Sequence, residues 1–246
     1  WLQRGYNCLL FLSTSVVFAC SLCGTKYPAG LELNWIAVII LFVTRFGTNA
    51  FILIEAVCKQ QQHADFLKML QAIEVSMRLR LKWRVDSATL LLQIKRLLKY
   101  HLVLSVLGTL PFMVATFIFA NRGGYFWHGL WFICSIRVRT LQLLVYLRIL
   151  RHYLSGIYLQ LQQLVAYHRT PQRRLLDFDY GQLGTLRRLL DIKEIYMLLH
   201  EAFDLLNAFA GWSLFGIAIT YVLDLSSNFY WLLQSFDNFH NRRYYY

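Results

Sequence analysis

The run LELNWIAVIILFVTRFGTNAFILIEAVC, residues 31–58, holds three charged side chains in 28 positions: Glu32, Arg45 and Glu55. A bilayer core of about 30 Å is crossed by about 20 helical residues, so this run spans one with length to spare. A helix satisfies its own backbone polar groups inside lipid, where a lone strand or loop does not. Four more apolar runs read the same way: Tyr6–Cys23, Leu102–Ala120, Tyr125–Ile149 and Ala208–Leu225. The expected fold class is all-α, a polytopic transmembrane helical bundle with helical cytoplasmic extensions. Residues 1–246 are expected to form a single transmembrane domain.

Composition agrees. The chain is 57% hydrophobic and 15% charged, where a soluble domain is about 25% charged. A net charge of +12 raises the question of nucleic acid, but its placement answers differently. Lys59–Lys99 holds nine Lys/Arg against Asp65, Glu74 and Asp86, a net of +6, while Gly24–Gly30 carries only Lys26 and Asn121–Gly124 only Arg122. The positive-inside rule puts 59–100 and 150–205 in the cytoplasm and the short connections outside. The expectation is a multi-pass plasma-membrane protein with a cytoplasmic N-terminus and no nucleic-acid partner. An odd number of spans and a first residue, Trp1, that is not Met suggest a piece of a longer protein.

The cytoplasmic segments carry helical periodicity. Phe66, Leu70, Ile73 and Met77 recur at 4, 3, 4. Leu147, Leu150, Leu154, Ile157, Leu161 and Leu164 form one stripe, and Leu189, Ile192, Tyr196, Leu199, Phe203 and Leu206 another. Such seams, separated by the helix-hostile His168–Gly184, predict an antiparallel hairpin that carries assembly.

No catalytic constellation or metal-ligand cluster is present, and neither an enzyme nor a cofactor is expected. The five cysteines sit in or at the ends of apolar runs and read as small hydrophobes. Arg45, Arg137 and Arg139 lie deep within runs, where a cation costs about 2.5–3.5 kcal/mol. Either their stems snorkel to the headgroups, or they join a polar seam with Glu55, Thr48, Ser105 and Thr109. Tyr125, Phe126 and Trp127 suit an interfacial belt. Trp131, Phe132, Phe112 and Phe117 lie deeper and suit the wall of a pocket for a small apolar ligand, with Thr109 and His128 as polar contacts.

Several features together resemble the insect gustatory receptor family. They are the short outer turns, the long cytoplasmic helices, and the stretches Ile192-Lys-Glu-Ile-Tyr-Met-Leu-Leu-His200 and Asn207-Ala-Phe-Ala-Gly-Trp-Ser-Leu214, followed by Tyr230. The tract Arg148–Leu164 likewise resembles that family's fourth span running into the cytoplasm. On this alignment the five spans are the first five of seven. The family's Thr-Tyr, five apolar residues, Gln-Phe signature is absent: Thr220-Tyr221 is followed by Asp224. The resemblance implies a taste-type chemoreceptor, a ligand-gated nonselective cation channel of four subunits, homo- or heteromeric, gated by small tastants in the lipid membrane. This chain would lack the pore helix. A G-protein-coupled receptor is the alternative, but it predicts Trp1 outside and lacks its Asp-Arg-Tyr and Asn-Pro-Xaa-Xaa-Tyr motifs here. A membrane transporter is another, without visible inverted repeats.

Overall fold

The structure, a computed structural model, describes residues 2–23, 33–83, 87–119, 123–169 and 178–242. These form six helices and, among the described residues, no strand: α1 Leu2–Cys23, α2 Leu33–Cys58, α3 Gln60–Arg80, α4 Ser87–Phe119, α5 Gly123–Arg169 and α6 Phe178–Arg242. Ile39–Cys58 of α2 and Gly184–Tyr230 of α6 are long and apolar enough to cross a membrane. The protein is an all-helical membrane bundle.

The apolar runs and the helical segments that flank them are not separate elements. No Gly or Pro interrupts Ser87 to Leu107, so α4 starts well before the apolar run at Leu102 and stays helical through Pro111. Helix α6 begins at Phe178, inside the segment read from sequence as helix-hostile, and takes up Gly181 and Gly184. A helix-interior glycine costs about 1 kcal/mol, a deficit that packing of a 65-residue helix offsets. The chain divides into two compact units, one of Trp1–Cys58, Leu107–Thr140 and Ala210–Tyr246, the other of Lys59–Val106 and Leu141–Phe209.

In the second unit α3 buries Phe66, Leu70, Ile73 and Met77, the residues its spacing marks as one face. Phe66 meets Tyr146 and Phe209 at ring-centroid distances of 5.1 and 5.3 Å. Helix α3 ends where Lys82 takes a left-handed φ of 50°. There the Leu81 and Trp83 N–H groups both return to the Met77 carbonyl, at 3.2 and 3.3 Å. The turn lays Trp83 against α5 at Gly156, where a Cβ would lie 2.7 Å from the indole. Gly156 is therefore required by close approach.

The two long stripes are split by this packing. Leu150, Ile157, Ile192 and Leu199 are buried, together with Leu164 and Leu206. Leu147, Leu154, Leu161, Leu189, Tyr196 and Phe203 are exposed. In their place Tyr153, Gln160, Ile195 and Ala202 turn inward. The buried face is thus rotated by about one residue from the all-leucine stripe, and an apolar edge at seven-residue spacing stays open on each helix.

Candidate functional site

In the first unit, Arg45, Thr48 and Glu55 fall within one arc of α2 at 100° per residue, and Ser213, Gly216, Thr220 and Asp224 fall on one arc of α6. The arcs meet antiparallel. Arg45 pairs with Asp224 at 2.7 Å. Thr48 Oγ1 donates to the Gly216 carbonyl at 3.0 Å and lies 2.8 Å from Thr220 Oγ1. At the Cys58 end of α2, Glu55 Oε1 accepts from the Trp212 N–H at 3.0 Å and Oε2 from the Ser213 N–H at 3.1 Å and the Ser213 hydroxyl. Helix α5 contributes Arg139, whose Nη2 is 3.7 Å from Glu55 Oε2. Glu55 and Arg139 are buried at 4% and 9% exposure.

The close approach has a local cause. A Cβ on Gly216 would lie 3.1 and 3.2 Å from the Thr48 side chain and 3.4 Å from its Cα. Glycine lets the backbones meet, and Thr48 then reaches the α6 carbonyl, a small-residue crossing with a hydrogen bond across it. Arg45 and Arg139 are therefore ion-paired inside the bundle, as a polar seam requires. Arg137 lies instead beside α4, its Nη2 3.4 Å from where a Gly108 Cβ would be. Sequence reasoning named Arg45, Thr48, Arg139 and Glu55 but gave the α6 partners no role. The available signal was the 3, 4, 4 spacing of Ser213, Gly216, Thr220 and Asp224 within an apolar helix.

Beside the seam lies an aromatic cluster. Phe132 is fully buried and meets Phe42 and Phe46 edge-on at 5.8 Å each. Phe18 of α1 stacks on Phe46 at 3.9 Å and on Phe42 at 5.3 Å. Trp131, on the next 100° of the helix, is 51% exposed. Thr109 is half-buried in α4. The side chains of Phe112, Phe117 and His128 lie outside the described residues. Phe132 is thus brought together with Phe18, Phe42 and Phe46, and not with Trp131. Asn49, next to Thr48, is 1% exposed with neither amide atom hydrogen-bonded among the described residues, and a buried amide of that kind calls for a partner. No cluster of three or more metal-ligating side chains occurs among the described residues.

The family model described as "7tm Chemosensory receptor" matches residues 1–246. A Drosophila melanogaster protein named "Putative gustatory receptor 39b" is 25% identical over 251 residues, covering 100% of this chain and 65% of that protein. The chain therefore spans about 65% of the length of the curated relative it matches. No solved structure matches it. The chain belongs to the chemosensory receptor family, a family of membrane receptors and not of enzymes.

Proposed function

We propose that this member of the chemosensory receptor family is a gustatory receptor subunit of the plasma membrane. In this reading it forms part of a ligand-gated, nonselective cation channel opened by small tastants and assembled as a homo- or heterotetramer with related subunits. The N-terminus and residues 59–100 and 150–205 face the cytoplasm. The observation that carries the reading is the family match along residues 1–246.

The geometry supports a mechanism of population shift. A mostly apolar ligand settling at the Phe132–Phe42–Phe46 cluster, with Asn49 as a polar contact, would favour one packing of α2, α5 and α6 over another. A ligand moves such an equilibrium only by its differential affinity for the two packings. The seam of Arg45, Thr48, Glu55, Arg139, Thr220 and Asp224 supplies discrete contacts that can be made in one packing and lost in the other.

The test is cation influx in cells expressing the full-length receptor with related subunits, challenged with a tastant panel. Tastant-evoked current is the expected result; a surface-expressed receptor silent to every tastant and in every subunit combination would overturn the reading. For an agonist that works, Phe132→Ala is expected to shift the dose-response curve by about tenfold or more, the loss of roughly 1–3 kcal/mol of aromatic contact. Trp131→Ala is the comparison, and a shift confined to Trp131 would move the ligand to the outer face of α5. Topology has its own readout: a tag between Pro171 and Arg174 is expected to stain only after permeabilisation.

A further inference from the structure

We propose that the α4–α5 surface of the second unit binds the phosphorylated headgroups of anionic lipids. Residues 87–176 contain eleven Lys/Arg and no Asp or Glu. Within that stretch Lys95, Arg96 and Lys99 of α4 and Arg151 of α5 are exposed, and none forms an ion pair among the described residues. Arg148 joins the two helices, its Nε donating to Gln93 Oε1 at 3.2 Å. Four exposed cations therefore lie on two packed helices that have no carboxylate of their own.

Two other cations of the same unit are ion-paired. Lys68 pairs with Asp65 at 3.2 Å, and Arg80 with Asp191 and Glu194. The α4–α5 group is left open, so it is suited to an anion from outside the chain. What surrounds it says which anion. Leu91, Leu92, Leu98 and Leu102 are 53%, 58%, 47% and 59% exposed on the same helix. At 100° per residue Leu91, Leu98 and Leu102 share an arc with Lys95 and Lys99. Water disfavours the leucines and hydrocarbon disfavours the lysines; the border between headgroups and acyl chains accommodates both. The apolar run at Leu102 begins three residues after Lys99, which sets the cations where headgroup phosphates lie. An acidic protein or a free phosphate would satisfy the cations and leave the leucines bare.

This inference rests on Leu102–Ala120 being a span, as in the proposed topology. It is tested on the full chain purified in mild detergent, so that the result does not depend on which side of a membrane the surface faces. The probes are long-chain phosphatidylinositol 4,5-bisphosphate, phosphatidylcholine and soluble inositol trisphosphate, with binding read as a saturable rise in thermal midpoint. We expect saturable binding of the anionic lipid, none of phosphatidylcholine, and at least tenfold weaker binding of inositol trisphosphate.

Neutralising Lys95, Arg96 and Lys99 together to Gln should lower affinity on the order of a hundredfold at low salt, at about fivefold per cation. The paired variant Lys68→Gln with Arg78→Gln should leave it unchanged. If the triple variant yields no folded protein, Lys99→Gln with Arg151→Gln serves instead, with an expected loss of roughly 25-fold. Unchanged lipid affinity in these variants overturns the proposal. Equal affinity for inositol trisphosphate overturns the lipid source and leaves a free-phosphate site. The tag between Pro171 and Arg174 tests the topology separately, and its failure would leave the lipid measurement standing.

Discussion

Replacing Glu55 by Gln keeps its shape and removes its charge, and the seam gives a magnitude for the result. The carboxylate takes two backbone N–H groups at 3.0 and 3.1 Å, the Ser213 hydroxyl, and the Arg139 guanidinium at 3.7 Å. Every one of these is a donor. A glutamine oxygen can serve the Trp212 N–H, but its NH2 then faces the Ser213 N–H and Arg139, donor against donor. Removing one partner of a buried ion pair costs about 3–5 kcal/mol, because the other charge stays in low dielectric. For a chain of this size about 1 kcal/mol moves the unfolding midpoint by roughly 2–4 °C. Glu55→Gln and Glu55→Ala are therefore expected to lower the midpoint of the detergent-purified protein by roughly 6–20 °C. Arg139→Met should cost much less. It removes the most distant of the four contacts and leaves the carboxylate three donors, at an expected drop of about 2–6 °C for roughly 1–1.5 kcal/mol. A Glu55→Gln midpoint equal to wild type, or a drop no larger than that of Arg139→Met, would refute the argument that the carboxylate is the centre of the seam.

Gly216→Ala should destabilise although Gly→Ala in a helix normally gains about 1 kcal/mol, because its Cβ would press on a hydrogen-bonded Thr48; Gly47→Ala, with nothing within 4 Å, is expected to be neutral or stabilising in the same thermal assay. Leu154 is 42% exposed and Ile157 is 6% exposed, so Leu154→Asp should reduce oligomer size on gel filtration with the fold intact, whereas Ile157→Asp should unfold the second unit. Burial, and then the Glu74 charge, push the Tyr153 hydroxyl up to about 12, above an unfolded value of about 10. Because the folded value is the higher, the stability Tyr153 contributes is complete below about pH 10 and is lost as pH rises through about 12. Thermal midpoints measured from pH 9 to 12 should fall less steeply for Tyr153→Phe than for wild type, and parallel curves would count against the burial of this hydroxyl.

Much of the fold was legible because helices in lipid are long, apolar and locally determined. The α2 span ends at Cys58 in sequence and in structure, and the 4, 3, 4 spacing of Phe66, Leu70, Ile73 and Met77 marks the buried face of α3. The rotation of the α5 and α6 stripes was not legible. Hydropathy ranks Leu154 above Tyr153 and Phe203 above Ala202, yet Tyr153 and Ala202 are the buried members of these pairs. Periodicity locates a face only to within a residue when apolar side chains cover more than half of the helix. The apolar side chains left over at seven-residue spacing stay exposed, and a single chain's pattern cannot separate them from its own core.

The seam was half legible for a different reason. A charge in an apolar run announces itself, so Arg45, Arg139 and Glu55 stood out; which charge meets which depends on the register between helices far apart in sequence. Hydrogen-bond partners on the backbone are invisible to sequence altogether. In α6 the Trp212 N–H donates to Glu55, and the Ala208 carbonyl accepts from Lys59 Nζ at 2.6 Å. Side chains four residues apart, near the α2–α3 junction, thus hold both ends of one turn of α6. A substitution at Glu55 or at Lys59 therefore acts on backbone groups of α6 and not merely on a charge pair.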